Sequence, residues 1–85
     1  MAVVLLPSLL ASEAGGQNRF DVEASNATEA LRALPIRSLL FDEHGELRPL
    51  VNVYVDGKDV RQRGGLDAEI GSDAEVRVVA AIAGG

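Results

Sequence analysis

Leu50-Val51-Asn52-Val53-Tyr54-Val55-Asp56-Gly57-Lys58-Asp59-Val60-Arg61 decides the fold of this chain. Valine at 51, 53 and 55 alternates with Asn52 and Tyr54, the period of a strand with one buried face. Asp56-Gly57 is a two-residue hairpin turn, so Lys58 to Arg61 returns as the partner strand. Downstream, Gly64-Gly65 breaks the chain and Leu66 to Ile70 predicts a short turn of helix. Gly71-Ser72-Asp73 forms a loop. Glu75-Val76-Arg77-Val78-Val79-Ala80 is the last strand, with Val76 and Val78 on one face and Arg77 and Val79 on the other. It runs directly into Ala81-Ile82-Ala83-Gly84-Gly85.

Upstream, the spacing of Ala27, Ala30, Leu31 and Leu34 predicts a helix with one apolar stripe. Asn26 is its N-cap, and Glu29 completes a capping-box-like pair while meeting the positive end of the helix dipole. Pro35 ends it. Ile36, Leu39 and Leu40 predict a further helical turn. Asp42-Glu43-His44-Gly45 is a turn, and Glu46-Leu47-Arg48 a short strand before Pro49. At the start, Ala2 to Leu6 is a continuous apolar strand, which implies a central position covered on both faces. Pro7 closes it, and Ser8 to Ala14 is a short helical turn ended by Gly15-Gly16. Arg19-Phe20-Asp21-Val22-Glu23-Ala24 alternates as an edge strand does, with Phe20, Val22 and Ala24 inward.

A lone helix between two hairpins packs across one sheet face, giving an α+β roll. This order matches the ubiquitin-like β-grasp: a mixed sheet of about five strands, one main helix and a flexible Gly-Gly tail. The domain spans 1–80 and the tail 81–85. The first and last strands pair in parallel at the centre. The expected core is Val4, Leu6, Phe20, Val22, Leu31, Leu34, Val51, Val53, Val76 and Val78.

Composition narrows the function. Eighty-five residues hold one domain, with 47% hydrophobic and 4% aromatic residues building an aliphatic core. Absence of cysteine removes disulfides, thiolate metal sites and thiol nucleophiles, and one histidine leaves no expected metal site. A net charge of −5 disfavours nucleic acid. No apolar run approaches the roughly 20 residues of a membrane span and no targeting segment is evident. The expected location is therefore the cytoplasm, with no membrane partner. Serines at 8, 12, 25, 38 and 72 stand in no nucleophile elbow, and no P-loop or dinucleotide fingerprint occurs. His44 and Asp42-Glu43 read as surface turn residues, so no catalytic residue is expected.

The chemistry concentrates in the last residues. Two glycines add no packing, but without Cβ atoms Gly84-Gly85 can thread a narrow channel. The extended tail reaches about 17 Å. A carboxylate is a poor electrophile until adenylation makes it a mixed anhydride. A second candidate surface is the outer sheet face, where Leu5, Tyr54 and Val79 form a partner-contact patch beside the tail.

Three further pieces, Gly64-Gly65-Leu66-Asp67, Gly71-Ser72-Asp73-Ala74-Glu75-Val76 and Ala80-Ala81-Ile82-Ala83-Gly84-Gly85, follow the hairpin in order. Together they resemble the ubiquitin-like sulfur carriers of the MoaD/ThiS family. Ala80-Ala81 stands where that family often has prolines. The resemblance implies a protein co-substrate, not an enzyme, with no bound cofactor. An adenylating partner of the ubiquitin-activating type uses ATP on Gly85, a sulfur donor makes the thiocarboxylate, and a biosynthetic enzyme accepts the sulfur. Gly84 gives tail access, and Ile82 and Ala83 contact partners inside the active site. The pattern, with Pro7, looks most like the CysO-type branch, whose acceptor is a pyridoxal-phosphate cysteine synthase. Thiosugar synthases are other acceptors in the family. The alternatives are the small subunit of molybdopterin synthase, held by its large subunit, and a ubiquitin-like modifier joined to lysines. A plain interaction module without tail chemistry is the remaining class.

Overall fold

The computed structural model describes residues 1–80. Five strands form one mixed sheet: β1 Ala2–Leu5, β2 Arg19–Val22, β3 Val51–Val55, β4 Lys58–Asp59 and β5 Glu75–Ala80. The spatial order is β2-β1-β5-β3-β4. β1 pairs with β5 in parallel, Val4 opposite Val76, and β5 pairs with β3 antiparallel, Val53 opposite Val78. This is the β-grasp arrangement, with the first and last strands side by side.

Alternation along each strand sends Ala2, Val4, Val51, Val53, Val55, Val76 and Val78 to one face, all buried. Three helices cover that face, the main helix and the two expected helical turns: α1 Ser8–Glu13, α2 Ala27–Arg32 and α3 Arg37–Leu40. α1 is as long as α2 because Pro7 enters it and the doublet Leu10-Ala11 anchors it to the core. Ala27, Ala30, Leu31 and Leu34 form the expected stripe, all buried. Among the described residues one continuous cluster holds every buried apolar side chain.

The start of α2 shows how local sequence and tertiary contacts cooperate. Asn26 Oδ1 accepts from the Glu29 amide at 2.8 Å, and the Ser25 amide donates to Glu29 Oε1 at 2.7 Å. The Glu29 carboxylate thus reaches one residue further back than a standard capping box. The Thr28 amide donates to the Leu66 carbonyl at 3.2 Å, so a distant loop satisfies another end-of-helix donor. Asn26→Ala is expected to destabilise the fold by about 1 kcal/mol. A urea titration in which the variant matched the parent would refute the cap.

Several local expectations change. The segment expected to be a helical turn, Leu66 to Ile70, is a turn followed by a bridge between Asn26 and Glu69. Gly64 and Gly65 at φ +98° and +94° turn the chain. The Ile70 amide then donates to the Ser25 carbonyl at 2.9 Å, so it cannot serve a helix. The expected strand over Glu46-Leu47-Arg48 shrinks to one bridge, Phe41 to Leu47, made by the Arg48 amide to the Leu40 carbonyl and the Asp42 amide to the Glu46 carbonyl, and Pro49 has no amide to extend it.

β4 lasts two residues. Asp59 Oδ1 accepts from the Arg61 amide and starts a 3-10 turn, Val60–Gln62, that buries Val60. β2 ends at Val22, and Phe20 and Val22 are half-buried against the core because the edge strand has no neighbour on its far side. Leu39 points outward, at 42% exposure, since Ile36 and Leu40 already take the inner face of that turn. β1 is covered on one face only. Val3 and Leu5 are half-exposed on the sheet's outer side.

The hairpin turn is as expected. Asp56 and Gly57 both have positive φ, 51° and 85°, as a type I′ turn requires. Asp56 Oδ1 also accepts from the Glu75 amide at 3.0 Å, tying the turn to the start of β5.

Candidate functional site at the tail end of the sheet

β5 is the middle strand of the sheet, and Ala80 is its last residue, opposite Val51. Ile82, Ala83, Gly84 and Gly85 lie outside the described residues.

Ala80 lines an apolar surface cleft shared with Leu9 of α1, Leu39 of α3, and Leu50 and Val51 at the start of β3. Glu13 and Arg48 supply its polar rim. Five large apolar side chains are exposed among the described residues, and Leu9, Leu39 and Leu50 are three of them, at 53%, 42% and 54%. A fourth, Val79, precedes Ala80 directly. Exposed apolar surface gathered in this way costs solvation in the free chain and marks a contact surface.

Sequence reasoning missed this cleft, but a signal was present. Leu9-Leu10, Leu39-Leu40 and Leu50-Val51 are apolar doublets. Adjacent residues on a short helix or strand point in different directions, so one member of each pair has to face out. The structure buries Leu10, Leu40 and Val51 and leaves the other three outside.

Leu5, Tyr54 and Val79 share the outer face of the sheet, as their strand phase requires. The register places Arg77 between Leu5 and Tyr54 and sets Val79 opposite Asn52. The row therefore reads apolar, cationic, aromatic across three strands. Beyond Tyr54 stands its partner Asp59. Arg61 donates to both Asp59 carboxylate oxygens, Nη2 at 2.7 Å and Nε at 3.0 Å, and to Asn52 Oδ1 at 3.4 Å.

The Arg61 side chain, and then its amide, hold the Asp59 carboxyl down at about 2, against a usual 3.8. The lowered value means that the folded state favours the ionised form. Its contribution to stability is complete above the unfolded value of 3.8 and is lost as pH falls through about 2. Asp59→Asn should therefore be less stable than the parent above that window. The gap should close between 3.8 and about 2 when urea midpoints are followed against pH. A gap that stayed constant with pH would remove the ion pair from the account.

His44 sits on a turn with its side chain 77% exposed, and Asp42 Oδ1 is occupied by the His44 and Glu46 amides. Among the described residues no group of three or more His, Asp or Glu side chains could hold a metal ion. No described helix is long and apolar enough to cross a membrane.

A mixed sheet grasping its helices, with the first and last strands paired in parallel at its centre, defines a ubiquitin-like β-grasp domain. The chain belongs to the ThiS family, whose model matches residues 4–85, and is a sulfur carrier of that type. It is similar to the sulfur carrier protein CysO of Mycobacterium tuberculosis strain H37Rv, 32% identical over 89 residues that cover 96% of both proteins. The crystal structure of M. tuberculosis CysO superposes with a TM-score of 0.82 and 27% identity, over 96% of this chain and all of that one. A chain from the Amycolatopsis orientalis BexX/CysO complex superposes with a TM-score of 0.84 and 29% identity, over the whole of both chains. Small archaeal modifier protein 1 (SAMP1) of Haloferax volcanii superposes at 0.77 with 26% identity, over 99% of this chain and 98% of that one.

Proposed function

We propose that this protein carries sulfur as a thiocarboxylate on Gly85. An activating enzyme joins the Gly85 carboxylate to AMP from ATP, releasing pyrophosphate. Sulfide delivered by a donor attacks the acyl carbon and AMP leaves. The resulting thioacid sulfur is a strong nucleophile that a biosynthetic enzyme uses. The protein is then a substrate regenerated at each turn, not a catalyst. The observation that carries this reading is the family match extending through Gly85, with the central strand aimed into that segment.

The cleft at Ala80 supplies the docking surface in this reading. A tail of about 17 Å obliges any enzyme that engages Gly85 to approach Ala80, and hence Leu9, Leu39 and Leu50. Leu5, Tyr54 and Val79 flank the approach on the outer sheet face. Likeness to CysO favours an acceptor of the pyridoxal-phosphate cysteine-synthase type over molybdopterin synthase. The cytoplasm is the compartment in which these partners act.

Intact mass after co-expression with a candidate activating enzyme and sulfur donor tests the proposal. Replacement of one carboxylate oxygen by sulfur adds about 16 Da, and alkylation distinguishes the thioacid from an oxidised Met1. A thioacid mapped to Gly85 is the expected result. Absence of conversion together with lysine adducts in lysate would favour the modifier reading, which the likeness to SAMP1 keeps specific.

A further inference from the structure

Arginines account for seven of the eight basic residues, and three of them pair with acids: Arg19 with Asp21, Arg61 with Asp59 and Arg77 with Glu75. Arg32, Arg37, Arg48 and Arg63 have no carboxylate oxygen within 4.0 Å among the described residues. Three of these four line a single surface cleft of about 520 Å³. They come from different places: the end of α2, the start of α3 and the segment before β3.

Two of the three are held in position. The Arg32 guanidinium lies 5.5 Å from the Phe41 ring centroid. Its Nη2 also lies against Gly45, where an added Cβ would sit 3.5 Å away. Arg48 Nη2 donates to the Ser38 carbonyl at 3.2 Å. Ordering these side chains costs conformational entropy, and among the described residues no carboxylate lies within 4.0 Å of any of the three to reward it. Asp42 and Glu43 do line it, but Asp42 Oδ1 accepts the two turn amides at 2.9 and 3.0 Å. Glu43 is 88% exposed and lies 3.9 Å from the His44 imidazole.

The geometry points to a binding site for a phosphate group in the cleft between Arg32, Arg37 and Arg48. A planar carboxylate is satisfied by one guanidinium fork. Three forks arriving from three elements match the several oxygens and double charge of a tetrahedral phosphate. The open cleft suits a small phosphate or pyrophosphate ion, or the phosphate of a nucleotide. Arg48 also lines the apolar cleft at Ala80, so an anion held here borders the surface from which the tail departs. The site stands on these arginines alone and does not depend on sulfur chemistry at Gly85.

Titration of the full chain with pyrophosphate, inorganic phosphate and AMP, followed by amide NMR at constant ionic strength in chloride, tests it. Saturable shifts confined to Ser38, Gly45, Arg48 and their neighbours are expected. Preference for AMP over the inorganic ions would identify a nucleotide as the source, and the reverse order a free ion. Arg37→Gln should weaken binding about tenfold, with Arg63→Gln unchanged. Arg32→Gln serves as a second variant should Arg37→Gln alter the fold. Shifts that chloride reproduces, or that both cleft variants leave intact, would overturn the site. Tighter binding of a glutamate-rich peptide than of pyrophosphate would overturn its assignment to phosphate.

Discussion

Leu31→Ala is expected to lower the free energy of unfolding by about 2–5 kcal/mol. Leu31 is completely buried, on the helix that packs against β1, inside the one core cluster. Its neighbours are backbone-anchored strands and short helices, which relax little into a void. The loss combines the transfer of the removed methyls with the cavity left behind. A domain of this size has about 5–10 kcal/mol in total, so the variant should melt far earlier or fail to fold. Leu39→Ala is the matched comparison. It removes the same atoms from a side chain already 42% exposed, and should cost about 0.5 kcal/mol or less. Urea titrations with equal slopes would compare them directly. A Leu31 variant as stable as the Leu39 variant would refute the assignment of α2 as the core helix.

Deletion of Gly85 should abolish loading while leaving the fold intact. Shortening the chain by one residue retracts the carboxylate by about 3.5 Å. Misplacement of about 1 Å can already cost a hundredfold in rate, so conversion should fall by more than that factor. Stability should be unchanged, because a terminal glycine has no side chain to bury. Intact mass reports loading and a thermal melt reports folding, so the two effects separate. A thioacid on the shortened chain would disprove Gly85 as the carrier atom's residue. A companion change, Leu50→Glu, tests docking without touching the tail. Half-exposed Leu50 can accept a charge with little cost to the fold. In the proposed reading KM for the activating enzyme rises about tenfold while kcat is retained.

Much of this molecule was legible in its residues. The valine alternation in β3 and β5, the Asp56-Gly57 turn and the Asn26 cap are decided within a few positions of themselves. Their signals are therefore carried by local sequence. The site was legible in part. A Gly-Gly segment after a strand announces where chemistry is expected, and the family match extends through it. The leucine cleft was not read, because its members lie at 9, 39 and 50, and each looks locally like one half of a core pair. The Leu66 to Ile70 segment was misread for a related reason. Its amides and carbonyls are claimed by Ser25 and Thr28, some forty residues away.

The sequence by itself determined the strand phases, the turn chemistry, the capping of α2 and an aliphatic core without cysteine. These depend on side-chain period and on backbone angles that single residues favour. Only the tertiary structure decided which doublet leucines face water and that Arg77 divides Leu5 from Tyr54. It alone brought three arginines from separate elements into one cleft. Those outcomes follow from register and from which surface is already filled, so they exist only after β5 lies between β1 and β3 and the helices have closed over the sheet.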